Sequence, residues 1–226
     1  MTLVACVAHA EKNAWSYAIT PYAWLAGLNG SVAVGSVKVP LNESFSDILD
    51  KVEFGMMLGV EARNDSWGVF GDFTFADLED EESATLGTVN TNIRQWLVSC
   101  GGFYRVKKGD RVQLDLGAGV RYMDTSINIM RPLATSSGSS TWIDPILVAR
   151  LRYQTTGKIS FTLTGDIGGF GIESELVWQV TGSIGYDISE SMTLLLSYRR
   201  LDYEYVDDIT YDLATSGLGF GMSFRF

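Results

Sequence analysis

Residues 111–122 read RVQLDLGAGVRY, and two kinds of side chain alternate along them. Polar or small residues such as Arg111, Asp115 and Arg121 occupy the odd positions, and apolar residues or Tyr122 occupy the even ones. A period of two residues is that of a β-strand with one polar and one apolar face. The stretch therefore predicts a strand longer than the roughly five or six residues that are usual in soluble sheets.

The same alternation recurs from Trp15 to the end of the chain. Tight turns separate some of these segments, and longer polar stretches at 79–91, 131–141, 168–174 and 205–208 separate the others. A tilted strand of about 9–11 residues is long enough to cross a bilayer. The pattern predicts an all-β fold, a transmembrane antiparallel up-and-down β-barrel of about ten strands, with eight or twelve left open. The predicted strands cover 15–26, 52–63, 66–78, 92–106, 111–122, 142–154, 158–167, 175–188, 191–204 and 209–226.

Residues 27–51 form the first long loop of the predicted barrel. The segment 31–39 reads as a strand, and counting it as a membrane crossing would raise the number of strands to twelve. We expect instead a hairpin extension of the barrel, followed by a short amphipathic helix at 45–50. Ser44 or Ser46 is the expected cap at the start of this helix.

Composition excludes several classes of function. The 226 residues carry a formal net charge of −10, which argues against nucleic acid as a partner. The single histidine is His9, so a mature chain that begins after it has no histidine for general base catalysis or metal ligation. The two cysteines, Cys6 and Cys100, form neither a disulfide framework nor a zinc ligand set. We therefore expect no enzyme activity, no cofactor and no metal site.

The first ten residues, MTLVACVAHA, are predicted to be the remnant of a signal peptide that is cleaved after Ala10. Residues 11–226 then form a single barrel domain. Because a basic region is missing, we expect the true start codon to lie upstream. Lipidation of Cys6 and a plain N-terminal strand or tail are the alternatives that the sequence leaves open.

The polar face of the predicted strands must line the barrel lumen, because lipid demands the apolar face. The bases on the lumen face are arginines, whose planar fork can bond two carboxylates in a crowded interior. We expect a charge-balanced network that leaves at most a narrow polar path. The candidate lumen-facing residues are Glu53, Glu61, Arg63, Asp72, Asp115, Arg121, Asp144, Arg150, Arg152, Asp166 and Arg199.

Arg150 and Arg152 point into the lumen from one predicted strand. They could form a constriction that selects anions or solutes. The favoured alternative is structural pairing with Asp115, Asp166 or Glu175 on other strands.

The last strand ends GLGFGMSFRF, with apolar residues alternating outward up to Phe226. This ending resembles the terminal signature of bacterial outer-membrane barrels. Further segments extend the resemblance to a family of small proteobacterial outer-membrane β-barrel proteins without a defined function. It implies a location in the bacterial outer membrane and recognition of Phe226 by the barrel-assembly machinery, and it implies no site. The segments are 20–24, 45–50, 67–72, 142–145, 165–171 and 198–203.

Two functions follow from these predictions. The first is a narrow channel for small polar solutes or ions. The alternative is a non-conducting barrel that supports envelope integrity through adhesion or contact with lipopolysaccharide, and the acidic segments around Asp80 and Asp207 could take part through divalent cations. Outer-membrane lipid, lipopolysaccharide and the barrel-assembly machinery are the expected partners, and the oligomeric state is left open.

Overall fold

The computed structural model describes residues 14–34, 37–84, 87–131, 134–206 and 209–226. The predicted signal-peptide remnant lies outside these residues. The described part of the chain contains eleven strands and one helix. They are β1 (Ser16–Val34), β2 (Val37–Glu43), α1 (Phe45–Lys51), β3 (Val52–Arg63), β4 (Trp67–Ala84), β5 (Gly87–Lys108), β6 (Val112–Arg131), β7 (Ala134–Gln154), β8 (Ile159–Gly169), β9 (Leu176–Asp187), β10 (Met192–Val206) and β11 (Ile209–Arg225).

Ten strands close into an antiparallel barrel. Strands β3 to β11 pair in chain order, and β1 pairs with β3 on one edge and with β11 on the other. The closing seam runs from Ala18 opposite Arg225 to Val34 opposite Ile209. Closure pairs both edges of every barrel strand, which a structure in lipid requires. The predicted all-β barrel of ten strands is therefore confirmed.

The eleventh strand, β2, is a hairpin extension of β1. It pairs with the distal part of β1 from Leu28 to Val34, on the opposite edge from β11. Helix α1 follows it, so the predicted hairpin and helix in the first loop are both present. The helix begins after Ser44, whose hydroxyl and backbone amide both hydrogen-bond to the Asp47 carboxylate. These bonds lower the pKa of Asp47, and they make Ser44 the cap.

The two ends of the barrel differ. At the short-turn end, connections at 64–66, 109–111, 155–158 and 188–191 join the strands, and the first and last strands also meet there. At the long-hairpin end, β4, β5, β6 and β7 extend well past the neighbouring β8 and β9. The wall of the barrel is therefore tall on one side and low at β8 and β9.

The prediction of long polar loops was largely wrong. The segments 79–91 and 131–141 lie mostly in paired strand, because β4 and β5 pair up to Ala84 and Gly87, and β6 and β7 pair up to Arg131 and Ala134. A polar hairpin has no apolar face to reveal its period, yet its backbone ladder still satisfies the amides. The connection between β8 and β9 is an irregular turn with positive φ at Gly169, Phe170 and Gly171.

The outer surface is apolar around the barrel. Leu116, Leu147 and Leu163 are among many large hydrophobic side chains that lie about half exposed on it. Aromatic side chains, including Trp67 and Tyr104, gather near the short-turn end. A band of this kind, flanked by aromatic side chains, is the lipid-facing surface of an outer-membrane barrel. Among the helices in the described residues, none is sufficiently long and apolar to span a membrane.

The core lies inside the barrel, in the half toward the long-hairpin end. Ten buried side chains form one cluster there, which we call the apolar plug: Trp24, Leu97, Met123, Ile127, Trp142, Val177, Leu201, Tyr203, Tyr205 and Leu213. The Trp142 and Tyr205 rings stack with centroids 4.1 Å apart. The predicted polar network therefore occupies only part of the height of the lumen. The sequence carries a sign of this division, because Trp142 lies two residues from Asp144 and Met123 two residues from Arg121, on the same faces of their strands.

Candidate functional site

The polar half of the lumen holds a cavity of about 550 Å³. It reaches the short-turn end, where the exposed residues Asp110 and Arg111 line it. At its inner end it is bounded by Trp24, Arg121 and Arg199, at the level where the apolar plug begins. Of the plug residues in the described chain, Trp24 alone lines the cavity. The cavity is thus open toward one end of the barrel and closed toward the other.

Glu61 on β3 is bonded from the far wall of the barrel. Arg150 Nη1 on β7 donates to its Oε2 at 2.6 Å, and Arg152 Nη2 donates to both carboxylate oxygens at 2.9 and 3.0 Å. Arg63 approaches the same carboxylate at 3.6 Å, beyond hydrogen-bond distance. Three guanidinium groups therefore surround one carboxylate. The expected partners of Arg150 and Arg152 (Asp115, Asp166 or Glu175) were wrong, because Glu61 reaches both across the lumen.

Phe103 packs against this cluster. Its buried ring lies under the Arg150 guanidinium, 4.8 Å from the Cζ atom to the ring centroid. Gly68 on the neighbouring strand makes room for the ring, because a Cβ atom there would overlap it. The position of Arg150 thus depends on a glycine and an aromatic residue that carry no charge.

Arg199 on β10 closes the inner end of the cavity. Its Nη1 donates to Tyr22 Oη at 3.1 Å and to Asp72 Oδ1 at 3.2 Å, and its Nε donates to Gln179 at 2.8 Å. Tyr22 in turn donates to Asp72 at 2.9 Å. The guanidinium stacks on the Trp24 ring at 4.5 Å, so one arginine joins the polar network to the apolar plug.

Arg121 and Asp166 form the most buried ion pair of this region. Two guanidinium nitrogens lie 2.8 and 3.0 Å from the two carboxylate oxygens, and the side chains are 1% and 4% exposed. Arg121 Nε also donates to Ser99 Oγ at 3.0 Å. Arg121, Asp166 and Ser99 thus join strands β6, β8 and β5, and each charge of this buried pair faces a partner of opposite charge.

Three other candidates lie outside the cavity lining. Asp115 is 1% exposed and pairs with Arg105 at 2.9 Å. Asp144 is fully buried at the level of Arg121, and its oxygens accept bonds from the Ser174 amide and hydroxyl at 2.9 and 2.6 Å. It thereby holds the turn between β8 and β9. The side chain of Glu53 lies outside the described part of the chain.

Several inward-pointing residues of this region were not predicted from the sequence. Arg105, Tyr22, Trp24 and Phe103 all point inward, although they were not among the candidates. Arg105 and Phe103 lie an even number of residues from Ser99, so strand period places all three residues on one face of β5.

The charge of the cavity differs in sign from that of the whole protein. Seven arginines and four carboxylates line it, a formal excess of three positive charges, whereas the chain carries −10. The pairs Arg199–Asp72 and Arg121–Asp166 are balanced. Arg225 pairs with Asp187 at 3.1 Å. The remaining excess lies around Glu61, where three arginines share one acid.

No group of three or more potential metal ligands is present among the described residues. The lining of the cavity offers guanidinium groups, carboxylates, hydroxyls and amides for hydrogen bonding and charge interactions. Such a set recognises anions and polar solutes.

Phe226 ends the barrel seam at the short-turn end. Its amide and carbonyl exchange hydrogen bonds with Tyr17 at 3.1 and 2.9 Å, and the two rings stack with centroids 6.3 Å apart. Its side chain is 68% exposed. The backbone of the terminal residue is thus paired in the barrel seam, and its ring is exposed on the outer surface.

Together, the closed barrel, the apolar outer band and the polar cavity define a transmembrane β-barrel protein. The chain matches the family model of the outer membrane protein beta-barrel domain over residues 2–226, and it belongs to that family. It is a protein of the bacterial outer membrane. In such barrels the short turns face the periplasm and the longer connections face outward.

Solved structures with the same fold are distant in sequence. The outer membrane protease OmpT from Escherichia coli is 10% identical, with coverage of 96% of this chain and 98% of that chain and a TM-score of 0.53. The translocator domain of the autotransporter NalP from Neisseria meningitidis is 11% identical, with coverage of 96% and 90% and a TM-score of 0.51. The attachment invasion locus protein Ail of Yersinia pestis is 14% identical, with coverage of 94% and 98% and a TM-score of 0.42. No curated protein matches the chain.

Proposed function

We propose that this protein is a non-conducting barrel that supports the outer membrane through contacts of its long-hairpin end. The observation that carries the proposal is the apolar plug. An ion that crossed the barrel would have to pass ten buried side chains that pack against one another, with Met123 and Trp142 only 2% and 3% exposed. Desolvating an ion among such side chains is very unfavourable. The polar cavity ends at this level, so it supports a pocket better than a path.

The long-hairpin end offers the surface for such contacts. Paired strands carry it beyond the low wall at β8 and β9, and exposed acids such as Glu175, Glu204 and Asp212 lie there. Lipopolysaccharide bridged by divalent cations is the partner that this charge favours. Assembly through the barrel-assembly machinery, with Phe226 as the signal, belongs to the same proposal, as does the absence of enzyme activity.

Conductance in a planar lipid bilayer tests the proposal directly. The refolded wild-type barrel should give no discrete current steps. Removing two plug rings with Trp24→Ala and Trp142→Ala should open a path and raise the current. Trp67→Ala is the matched control, because this ring is 59% exposed on the outer surface and its loss leaves the lumen filled.

Reproducible steps from the wild-type protein would overturn the non-conducting barrel and establish the narrow channel in its place. Arg150 and Arg152 would then be the first positions to examine for ion selectivity. In cells, loss of the gene should change survival in detergent or chelator and leave solute uptake unchanged. Reduced uptake with normal survival would contradict the envelope role.

A further inference from the structure

The cluster of Arg63, Arg150 and Arg152 around Glu61 carries more positive charge than its one carboxylate can balance. Arg150 bonds Glu61 through Nη1 and Arg152 through Nη2, while a guanidinium group has five N–H donors. Arg63 and Arg152 are 30% and 22% exposed. Donors of this cluster are therefore accessible from the cavity, and the cluster retains a formal charge of +2.

The surroundings of the cluster complete a binding pocket. Ser160, Thr162 and Thr164 on β8 line the same cavity and offer hydroxyl groups. The volume of about 550 Å³ lies within the range of roughly 300–1,000 Å³ typical of small-molecule sites. It exceeds what a bare inorganic ion would fill.

The route to the pocket is from water at the short-turn end. Asp110 and Arg111 line the cavity there and are exposed. The wall of ten paired strands separates the pocket from the bilayer, and the apolar plug closes it on the outer side. A ligand must therefore arrive from the periplasm as a dissolved molecule, and a lipid headgroup in the membrane has no route to it.

We propose that this cavity binds a small organic phosphate from the periplasm at Arg63, Arg150 and Arg152. A phosphate monoester carries about −1.5 to −2 charges at pH 7, which matches the excess around Glu61. The planar fork of arginine bonds two phosphate oxygens at once. The hydroxyl groups on β8 would then face the organic part of the ligand.

Calorimetric titration of the refolded full-length barrel with glycerol 3-phosphate tests the site. Saturable binding is expected, with none for glycerol and weaker binding at high salt. Arg63→Gln and Arg152→Gln should each weaken binding about tenfold, which corresponds to the loss of one charge-assisted hydrogen bond. Arg94→Gln is the matched control, because Arg94 pairs with Asp77 outside the cavity and is 53% exposed. It should bind like the wild type.

Glu61→Gln separates binding from mere structural support. If Glu61 competes with the ligand for the three arginines, its neutral variant should bind glycerol 3-phosphate more tightly. If the cluster only braces the barrel, the variant should bind no better. Arg152→Lys keeps the charge without the fork, so it should show an intermediate affinity, and it serves if Arg152→Gln does not fold.

Wild-type protein without saturable binding at millimolar glycerol 3-phosphate would overturn the proposal. An equal loss of affinity in Arg94→Gln would also overturn it, because the effect would then follow total charge. Heat-dependent gel migration checks that each variant is folded. The outcome is independent of conductance, since a pocket open to one side requires no current.

Discussion

Replacing Arg121 by methionine should strongly destabilise the barrel. The side chain is 1% exposed and its partner Asp166 is 4% exposed, with ion-pair contacts at 2.8 and 3.0 Å. The substitution leaves the Asp166 charge buried without its base, and breaking a buried pair in this way costs about 3–5 kcal/mol. Arg94→Met removes a pair of similar geometry with Asp77, but Arg94 is 53% exposed, and such pairs contribute only about 0–1 kcal/mol.

Equilibrium unfolding by guanidinium chloride in lipid vesicles measures both variants. Tryptophan fluorescence reports the transition, because Trp24 and Trp142 lie inside the lumen. The double variant Arg121→Met/Asp166→Leu should recover most of the loss, since no unpaired charge remains. If Arg121→Met and Arg94→Met lose the same free energy of unfolding, the argument that burial sets the strength of this pair is wrong.

Three further substitutions test local features. Gly68→Ala should lower the free energy of unfolding by about 1–3 kcal/mol through overlap with the Phe103 ring, and Phe103→Leu should relieve part of that loss; additive effects of the two changes would contradict the overlap. Ser44→Ala should raise the pKa of Asp47 in an NMR titration, because the Ser44 bonds lower it. The stabilisation of α1 by these bonds is present above the ordinary aspartate pKa and is lost as the pH falls. If the pKa of Asp47 is the same in Ser44→Ala as in the wild type, Ser44 does not cap the helix. Asp144→Ala should speed limited proteolysis between β8 and β9, because the Asp144 oxygens accept hydrogen bonds from Ser174 in this turn. An unchanged cleavage rate would show that the turn is stable without these hydrogen bonds.

The fold followed from local pattern. Strand period, strand length and the alternation of turn types predicted ten antiparallel strands, and the closed barrel has that number. The helix in the first loop and its cap at Ser44 were also predictable, because a serine followed three residues later by Asp47 is a local capping signal. Polar hairpins such as the one that joins β6 to β7 were not predictable, because strand with two polar faces has the same composition as loop.

The sequence predicted which residues of the candidate site face the lumen, but it did not predict how they pair. The period of two identified Glu61, Arg150 and Arg152 as residues whose side chains face the lumen. It could not pair them, because Glu61 is 89 residues from Arg150 and the two strands are four apart around the barrel. Which acid meets which arginine depends on strand tilt and on the width of the lumen, and neither is encoded in a single strand.

Alternation, strand length and the placement of turns and aromatic residues together predicted a membrane barrel, because lipid accepts only one assignment of the two faces of each strand. The division of the lumen into an apolar plug and a cationic pocket depended on the assembled structure. Trp24, Trp142 and Tyr203 lie on three different strands, and only closure of the sheet brings them into one cluster. The same closure places three arginines around Glu61 and leaves the excess positive charge inside an acidic protein. Both features combine side chains from strands on opposite sides of the barrel, so they cannot be predicted from the pattern of any single strand.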